Sequence, residues 1–106
     1  MTDVFKALAD PLRRRILDQL HETDGLSLAS LCEHADMTRQ AVSKHLRILE
    51  EANLVVTRMA GRRKLHYLNP VPIEEITQRW LTKFSQHQAH ELIRLKKKLE
   101  DNDHGK

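Results

Sequence analysis

The hydrophobic period of the chain changes from 3.6 residues to 2 at Asn53, and this change is the strongest constraint on the fold. Before it, apolar side chains recur at spacings of three and four residues, which predicts amphipathic helices. After it, residues 55–58 and 65–68 have the pattern of strands, joined through residues 60–63. Three Gly and three Pro in 106 residues are too few for an extended β architecture. The pattern therefore predicts one mainly helical domain with a single β-hairpin.

Four short helices are predicted ahead of the hairpin. They extend through residue 8, over residues 11–21, over a short stretch after Ser27, and from Thr38 to about residue 52. Ser27 and Thr38 have hydroxyl groups that can accept a backbone N–H at a helix start, and Pro11 suits a first helical turn. A turn at residues 35–37 separates the third helix from the fourth, which is the spacing of a helix-turn-helix.

A last helix is predicted from about residue 73 to residue 99, because apolar residues recur along it at helical spacing. So long a stripe cannot be buried against so small a domain, and we expect it to pack against a second copy of the chain. The expected organisation is a helix-turn-helix and hairpin region over residues 1–70, a dimerisation helix of the same domain over residues 71–100, and a disordered tail over residues 101–106. The residues expected at the dimer interface are Val4, Phe5, Leu8, Trp80, Phe84, Leu92 and Leu95.

Positive charge is concentrated in the middle third of the chain. Residues 38–68 carry seven Lys and Arg against two Glu, whereas residues 1–37 carry four basic and seven acidic side chains. A localised positive field of this kind suits a polyanionic partner. Cys32 is the only cysteine, so a single chain can form no internal disulfide. Because no apolar run approaches a membrane span and no secretory signal is recognisable, we expect a cytoplasmic protein.

The outward face of the fourth helix carries side chains that can bind base edges. Gln40, Ser43, Lys44 and Arg47 fall on the side opposite the apolar stripe. Lys and Arg can donate to guanine, Gln can pair with adenine, and Ser can contact a base or a phosphate. The alternative is an ordinary solvated helix face, and periodicity alone does not separate the two.

The basic hairpin favours the nucleic-acid interpretation. Arg58 precedes a predicted tip of Gly61, Arg62, Arg63 and Lys64, so that four cations fall within seven positions. Charged side chains also protect an edge strand from aggregation, which is the structural alternative. Directly after a helix-turn-helix, however, such a hairpin is better explained by contacts with phosphates or the minor groove, for which arginine is suited.

Two stretches carry a family resemblance. Residues 7–17 have the sequence ALADPLRRRIL and residues 38–49 the sequence TRQAVSKHLRIL, and the similarity continues through Arg62, Arg63 and residues 67–69. Both stretches resemble the ArsR/SmtB family of bacterial transcriptional repressors. The resemblance implies a winged helix-turn-helix of order α-α-α-α-β-β-α that dimerises through its first and last helices. It also implies a homodimeric repressor of a two-fold DNA operator, and we expect it to include its own operon among its targets.

The fourth helix and the hairpin together supply the residues expected to contact DNA. Side chains in the first half of the helix are expected to contact bases, those beside them to flank the bases, and those of the hairpin to contact phosphate or the minor groove. The expected set is Thr38, Arg39, Gln40, Ser43, Lys44, Arg47, Arg58, Arg62, Arg63 and Lys64.

The ligand positions of metal-sensing relatives are incompletely filled. Where the thiolate-binding relatives have Cys-Val-Cys, this chain has residues 27–29 with the sequence Ser-Leu-Ala, and Cys32 is better explained as a small buried hydrophobe. Of the zinc ligands that other relatives carry on the last helix, Glu74, His87 and His90 match, but Ile76 stands where a histidine is needed. We therefore expect no cofactor and no metal, with Glu74, His87 and His90 as weak candidates.

Two further functions remain as alternatives. One is a zinc- or nickel-responsive repressor that uses the last-helix histidines. The other is a winged-helix protein-interaction module that has lost DNA binding, although neutral or acidic residues would then be expected on the helix and hairpin. An enzyme is not expected, because the sequence has no Gly-rich phosphate loop, no paired-carboxylate motif and no nucleophile beside an evident base.

Overall fold

The computed structural model describes residues 3–81 and 86–104. The described elements are α1 (Val4–Leu8), α2 (Pro11–Glu22), α3 (Leu28–Glu33), α4 (Arg39–Glu51), β1 (Val55–Ala60), β2 (Arg63–Leu68), α5 (Val71–Leu81) and α6 (Gln86–His104). Residues up to Ile73 form one compact unit, and those from Glu74 onward form another. The mainly helical architecture with one antiparallel hairpin confirms the winged helix-turn-helix class predicted from the sequence.

Each of the first four helices begins at a side chain that accepts a backbone N–H. The carboxylate of Asp3 accepts from Phe5 at 2.9 Å, and that of Asp10 accepts from Leu12 at 2.8 Å. The hydroxyl groups of Ser27 and Thr38 cap α3 and α4 in the same way. These caps satisfy amide groups that have no partner inside the helix, which is why the helix starts could be located from sequence.

Helix α4 ends in a Schellman motif at Asn53. Asn53 has a φ of 61°, the left-handed conformation that asparagine tolerates better than most residues. The amide of Leu54 donates to the carbonyl of Leu49 at 2.9 Å, and the amide of Asn53 donates to that of Glu50 at 3.0 Å. Leu49 and Leu54 are both fully buried, so the motif also directs the chain into the hairpin through the core.

The hydrophobic core belongs to the first compact unit. Val42, Leu46 and Leu49, the predicted inner stripe of α4, are all buried. They pack in one cluster with residues from α1, α2, α3 and β1, and the other buried members are Ala7, Ile16, Leu17, Leu20, Leu31, Ala52, Leu54 and Val55. Burial of this stripe places the polar side of α4 toward solvent.

The hairpin is tighter than expected from the sequence. Antiparallel pairing continues to Ala60 and Arg63, so the loop contains only Gly61 and Arg62. Gly61, at the first loop position, has a φ of 65°, as a type II′ turn requires. The predicted four-residue tip was therefore wrong: Arg63 and Lys64 lie on β2, and Arg62 alone of the four cations lies in the turn.

Leu26 extends the hairpin by one isolated pair. Its amide donates to the carbonyl of His66 at 3.1 Å, and the amide of His66 donates to the carbonyl of Leu26 at 2.8 Å. The Nδ1 of His66 is also 2.8 Å from that carbonyl, and it carries the hydrogen because a carbonyl oxygen only accepts. His66 is 4% exposed. Its ring is therefore held in one orientation against the segment that precedes α3.

Gly25 allows the hairpin to approach this segment closely. Its φ is +75°, and a Cβ atom at this position would lie 2.9 Å from the Tyr67 hydroxyl oxygen and 3.1 Å from the adjacent ring carbon. A side chain here would meet both backbone strain and the tyrosine ring. Both the backbone conformation and the space beside Tyr67 therefore favour glycine at this position.

The described bounds of the C-terminal helices differ from those predicted for the last helix, residues 73–99. Helix α5 starts at Val71, two residues earlier, and α6 continues to His104, through most of the stretch expected to be a disordered tail. Residues 82–85, over which continuity of the predicted helix would be decided, lie outside the described residues. Among the helices that the structure describes, none is long and apolar enough to cross a membrane.

Candidate nucleic-acid interface

The polar face of α4 is accessible along its length. Gln40, Lys44 and Arg47 are exposed, and Ser43 between them is half-buried. Arg39, the first residue of the helix, is exposed next to Thr38, whose hydroxyl oxygen accepts from the amide of Ala41 at 3.1 Å. The residues predicted to contact bases therefore share an accessible face, while the buried stripe anchors the opposite side.

The hairpin carries its cations on both faces. Direct partners in the ladder share a face, so Arg58 with Leu65 and Ala60 with Arg63 lie on one side. The other side holds the buried His66 and, two positions nearer the turn, Lys64. The side chains of Arg58, Arg62, Arg63 and Lys64 are all exposed. The two faces therefore present positive charge in two directions.

A cleft of about 570 Å³ lies between α4, β2 and the start of α3. Its lining combines four cations with one carboxylate, two hydroxyl groups, a histidine and three aliphatic side chains. These are Arg39, Arg47, Arg63, Lys64, Glu50, Ser27, Ser43, His66, Leu28, Ala29 and Leu46. The cleft brings together predicted DNA-contact residues from α4 and from the hairpin, although they are far apart in sequence.

Glu50 and His66 are members of this region that the sequence did not identify. Glu50 follows the cationic face of α4 near the end of the helix, and its Oε1 is 3.3 Å from Nζ of Lys64. No sequence pattern predicts this ion pair, because the docking of the hairpin on α4 decides it. The sequence gives no signal for His66 either, because its neighbours in β2, Leu65 and Tyr67, are the apolar residues that strand alternation would place inward.

Arg13 connects α4 to the end of α1. Its Nε donates to the carbonyl of Ala7 at 2.8 Å, and its Nη2 donates to that of Lys6 at 3.0 Å. Its Nη1 lies 3.4 Å from Nδ1 of His45 on α4. A guanidinium group has no acceptor, so Nδ1 of His45 accepts this contact. Arg13 thus helps to position the helix that carries the polar face.

Asp10 completes the same junction. Its Oδ2 is 3.5 Å from Nη1 of Arg13. Burial is the largest single influence on the pKa of this carboxyl and acts to raise it. Hydrogen bonds from the amides of Leu12 and Arg13, together with the positive charge of Arg13, outweigh burial and lower the pKa below its ordinary value.

The predicted dimer residues fall into two environments. Val4 and Leu8 are half-buried and pack on the core of the first unit, whereas Phe5 between them is 48% exposed. In the C-terminal unit the aromatic and aliphatic members Trp80, Leu92 and Leu95 are each at least half exposed, at 50%, 62% and 54%. Phe84 lies outside the described residues. Val4 and Leu8 therefore contribute to the core of the first unit, whereas Phe5 of that unit and Trp80, Leu92 and Leu95 of the C-terminal unit are exposed apolar residues.

The weak metal candidates are only partly described. Glu74 and His90 are exposed, and the side chain of His87 lies outside the described part of α6. Where side chains are described, the chain has no cluster of three or more His, Cys, Asp or Glu that could hold a metal ion. Cys32 is half-buried beside the core, as a small hydrophobe would be.

Comparison with known proteins assigns the family. A family model described as a helix-turn-helix domain matches residues 8–58. The HTH-type transcriptional regulator YuzN of Bacillus subtilis is 37% identical over 84 residues, covering 74% of this chain and 91% of YuzN. The transcriptional repressor SdpR of the same species is 32% identical, covering 79% of this chain and 91% of SdpR.

A solved structure supports the same assignment. The ArsR-like transcriptional regulator from Rhodococcus sp. RHA1 superposes with a TM-score of 0.68 at 30% identity, covering 89% of this chain and 87% of that chain. Sequence, fold and exposed polar helix thus agree with proteins that regulate transcription and are not enzymes. The chain belongs to the ArsR family of winged helix-turn-helix, DNA-binding transcriptional regulators.

Proposed function

We propose that the chain is a homodimeric repressor that blocks transcription by occupying a two-fold operator, including one that controls its own operon. The observation that carries this proposal is the cationic surface formed by α4 and the hairpin, which meet at one cleft. The printed description of SdpR as a repressor supports the direction of regulation. Repression by occupancy needs no catalytic group, and the proposed site of action is the cytoplasm.

The residues have distinct proposed roles. Gln40, Ser43 and Lys44 contact base edges, since they lie in the first half of the exposed face of α4. Arg39 and Arg47 flank them. Thr38 keeps a hydroxyl hydrogen available for a phosphate, because its oxygen accepts the capping bond. The hairpin cations Arg58, Arg62, Arg63 and Lys64 bind phosphates or the minor groove.

The roles of helix and hairpin are separated by two substitutions. A good base contact is worth about 1–3 kcal/mol of discrimination, so Gln40→Ala should weaken binding to the operator far more than binding to random DNA. Arg63→Ala should weaken both by similar factors and lower the salt slope by about one unit per lost phosphate contact and monomer. The operator is first selected from a random DNA pool, and both affinities are measured by fluorescence anisotropy across a salt series.

Three outcomes would contradict the assignment. If the selected pool contains no enriched two-fold motif, sequence-specific operator binding is wrong. If Gln40→Ala leaves the operator-to-random ratio unchanged while Arg63→Ala collapses it, the hairpin discriminates sequence and the roles are reversed. If neither variant changes binding to either DNA, the proposed surface is not the contact surface.

The dimer is tested on the C-terminal unit. Leu92 is 62% exposed, so Leu92→Asp removes apolar surface without opening the core of the first unit. Wild-type chain should elute with twice the chain mass by light scattering, and Leu92→Asp should lower that mass and weaken binding to a two-half-site operator. Lys97→Asp places the same carboxylate on an exposed position of α6 that lies away from the face of Leu92, and it serves as the control. A wild-type monomer with intact helicity would contradict the dimer.

A further inference from the structure

The cleft between α4 and β2 has an internal anion already in contact with one of its cations. Glu50 Oε1 lies 3.3 Å from Lys64 Nζ, and both side chains retain access to solvent, at 29% and 53% exposed. An ion pair open to water is weak, because solvent and salt screen it. A stronger anion that enters the cleft can therefore take the place of the Glu50 carboxylate.

The remaining lining suits a phosphate group. Arg39, Arg47 and Arg63 offer planar sets of N–H donors that match phosphate oxygens. Four cations against one carboxylate leave the cleft positively charged. At about 570 Å³ it falls within the size range of small-molecule sites and exceeds what a single phosphate fills. The aliphatic wall formed by Leu28 and Leu46 can face the less polar part of a larger ligand.

We propose that this cleft is a phosphate-binding site in which the Glu50 carboxylate is a built-in competitor for Lys64. The phosphate comes either from the DNA backbone or from a small phosphorylated molecule. In the second case the small molecule competes with DNA, because both use the same cations. Only the DNA source rests on the proposed function; binding of a free phosphate does not depend on it.

A matched pair of charge-neutralising variants tests the competitor role. Glu50→Gln removes the carboxylate in the cleft, and Glu51→Gln removes the same charge from the next residue of α4, which does not line the cleft. Removal of a repelling charge at close range in a solvated site should tighten binding by about fivefold, and the more distant charge should have little effect. A third variant, Glu50→Gln with Lys64→Ala, should lose most of this gain.

In the first arm, the full chain is titrated with sodium pyrophosphate in the absence of DNA, and isothermal titration calorimetry measures the binding. The second arm measures binding to random duplex DNA by anisotropy, with and without pyrophosphate. A site for a free phosphorylated ligand is supported if Glu50→Gln, but not Glu51→Gln, binds pyrophosphate more tightly and if pyrophosphate displaces DNA at the same concentrations. A selective gain in the DNA arm only supports a site for a backbone phosphate.

Equal behaviour of Glu50→Gln and Glu51→Gln in both arms would overturn the proposal. Circular dichroism compares the helix content of each variant with that of the wild type, so a folding defect is not mistaken for a binding effect. If the chain binds no DNA at all, the proposed function fails, and the pyrophosphate arm still decides whether the cleft binds phosphate. If DNA binds normally and the two glutamate variants remain alike, only the present inference fails.

Discussion

Alanine substitutions at Arg13, Arg14 and Arg15 should destabilise the fold by three different amounts, although they remove the same side chain from consecutive positions. Arg13 is 14% exposed and donates to two carbonyl groups at the end of α1, while also contacting Asp10 and His45. Arg14 is exposed and donates one bond of 2.7 Å to the carbonyl of the last residue of α1. Arg15 is exposed on the same helix.

The contacts give the size of each effect. Hydrogen bonds to charged groups contribute about 1.5–3 kcal/mol each, and water can reach the carbonyls once the arginine is gone, so Arg13→Ala should cost about 2–3 kcal/mol in total. The single solvated bond of Arg14 should be worth about 0.5–1 kcal/mol. Arg15→Ala should stay within about 0.5 kcal/mol of wild type. Arg13→Lys keeps the charge but loses the planar donor set, so it should recover less than half of the loss.

Urea unfolding followed by circular dichroism measures these differences. All variants must be compared at one protein concentration, because the stability of a dimer depends on the concentration of its subunits. The expected order of loss is Arg13, then Arg14, then Arg15. Equal losses at the first and third positions, or full recovery by Arg13→Lys, would show that the guanidinium contacts do not hold α1 in place.

Three other outcomes are expected. The pKa of Asp10 is lower in the folded chain than in the unfolded chain, so its carboxylate stabilises the fold at any pH above the unfolded pKa. This stabilisation is lost as the pH falls through the folded pKa. The difference in unfolding free energy between wild type and Asp10→Asn should therefore be full near pH 6 and shrink below about pH 4. Gly25→Ala should lower the melting temperature more than Gly61→Ala. Both glycines have a positive φ, but only at position 25 would the new Cβ atom meet the Tyr67 ring. Equal losses would mean that the ring moves away freely. Chelator-treated chain should bind DNA as well as untreated chain. The contrary result would be stoichiometric zinc binding that releases DNA, with both effects lost in His87→Ala. That result would establish a metal-responsive repressor.

Local signals located most of the helices and strands. The caps at Ser27 and Thr38 and the helix end at Asn53 depend on groups within a few residues of each other, so the sequence contains all the information they need. The hairpin loop was misjudged by two residues at Arg63 and Lys64. The conformation of Gly61 and the pairing of both strands decide together how short the turn becomes, and pairing is not local.

In the candidate interface and the helices that support it, some features also follow from local sequence and others depend on packing. The exposed face containing Gln40 and Lys44 follows directly from burial of the opposite stripe of α4, and periodicity predicts it. The run at residues 13–15 is uniform in sequence, yet its first two members bind the end of α1. Only the packing of α1 beside α2 separates these roles.

The sequence by itself determined the order of the elements, the polar face of α4 and the positive charge of the hairpin, because each depends on spacing or composition within one segment. The tertiary structure alone decided that residues from α3, α4 and β2 line one cleft, and that Glu50 meets Lys64 there. The Schellman motif and the His66–Leu26 pairing set the direction in which the hairpin leaves α4. The distance between Glu50 and Lys64 is therefore fixed only when α4 and the hairpin have both packed on the common core.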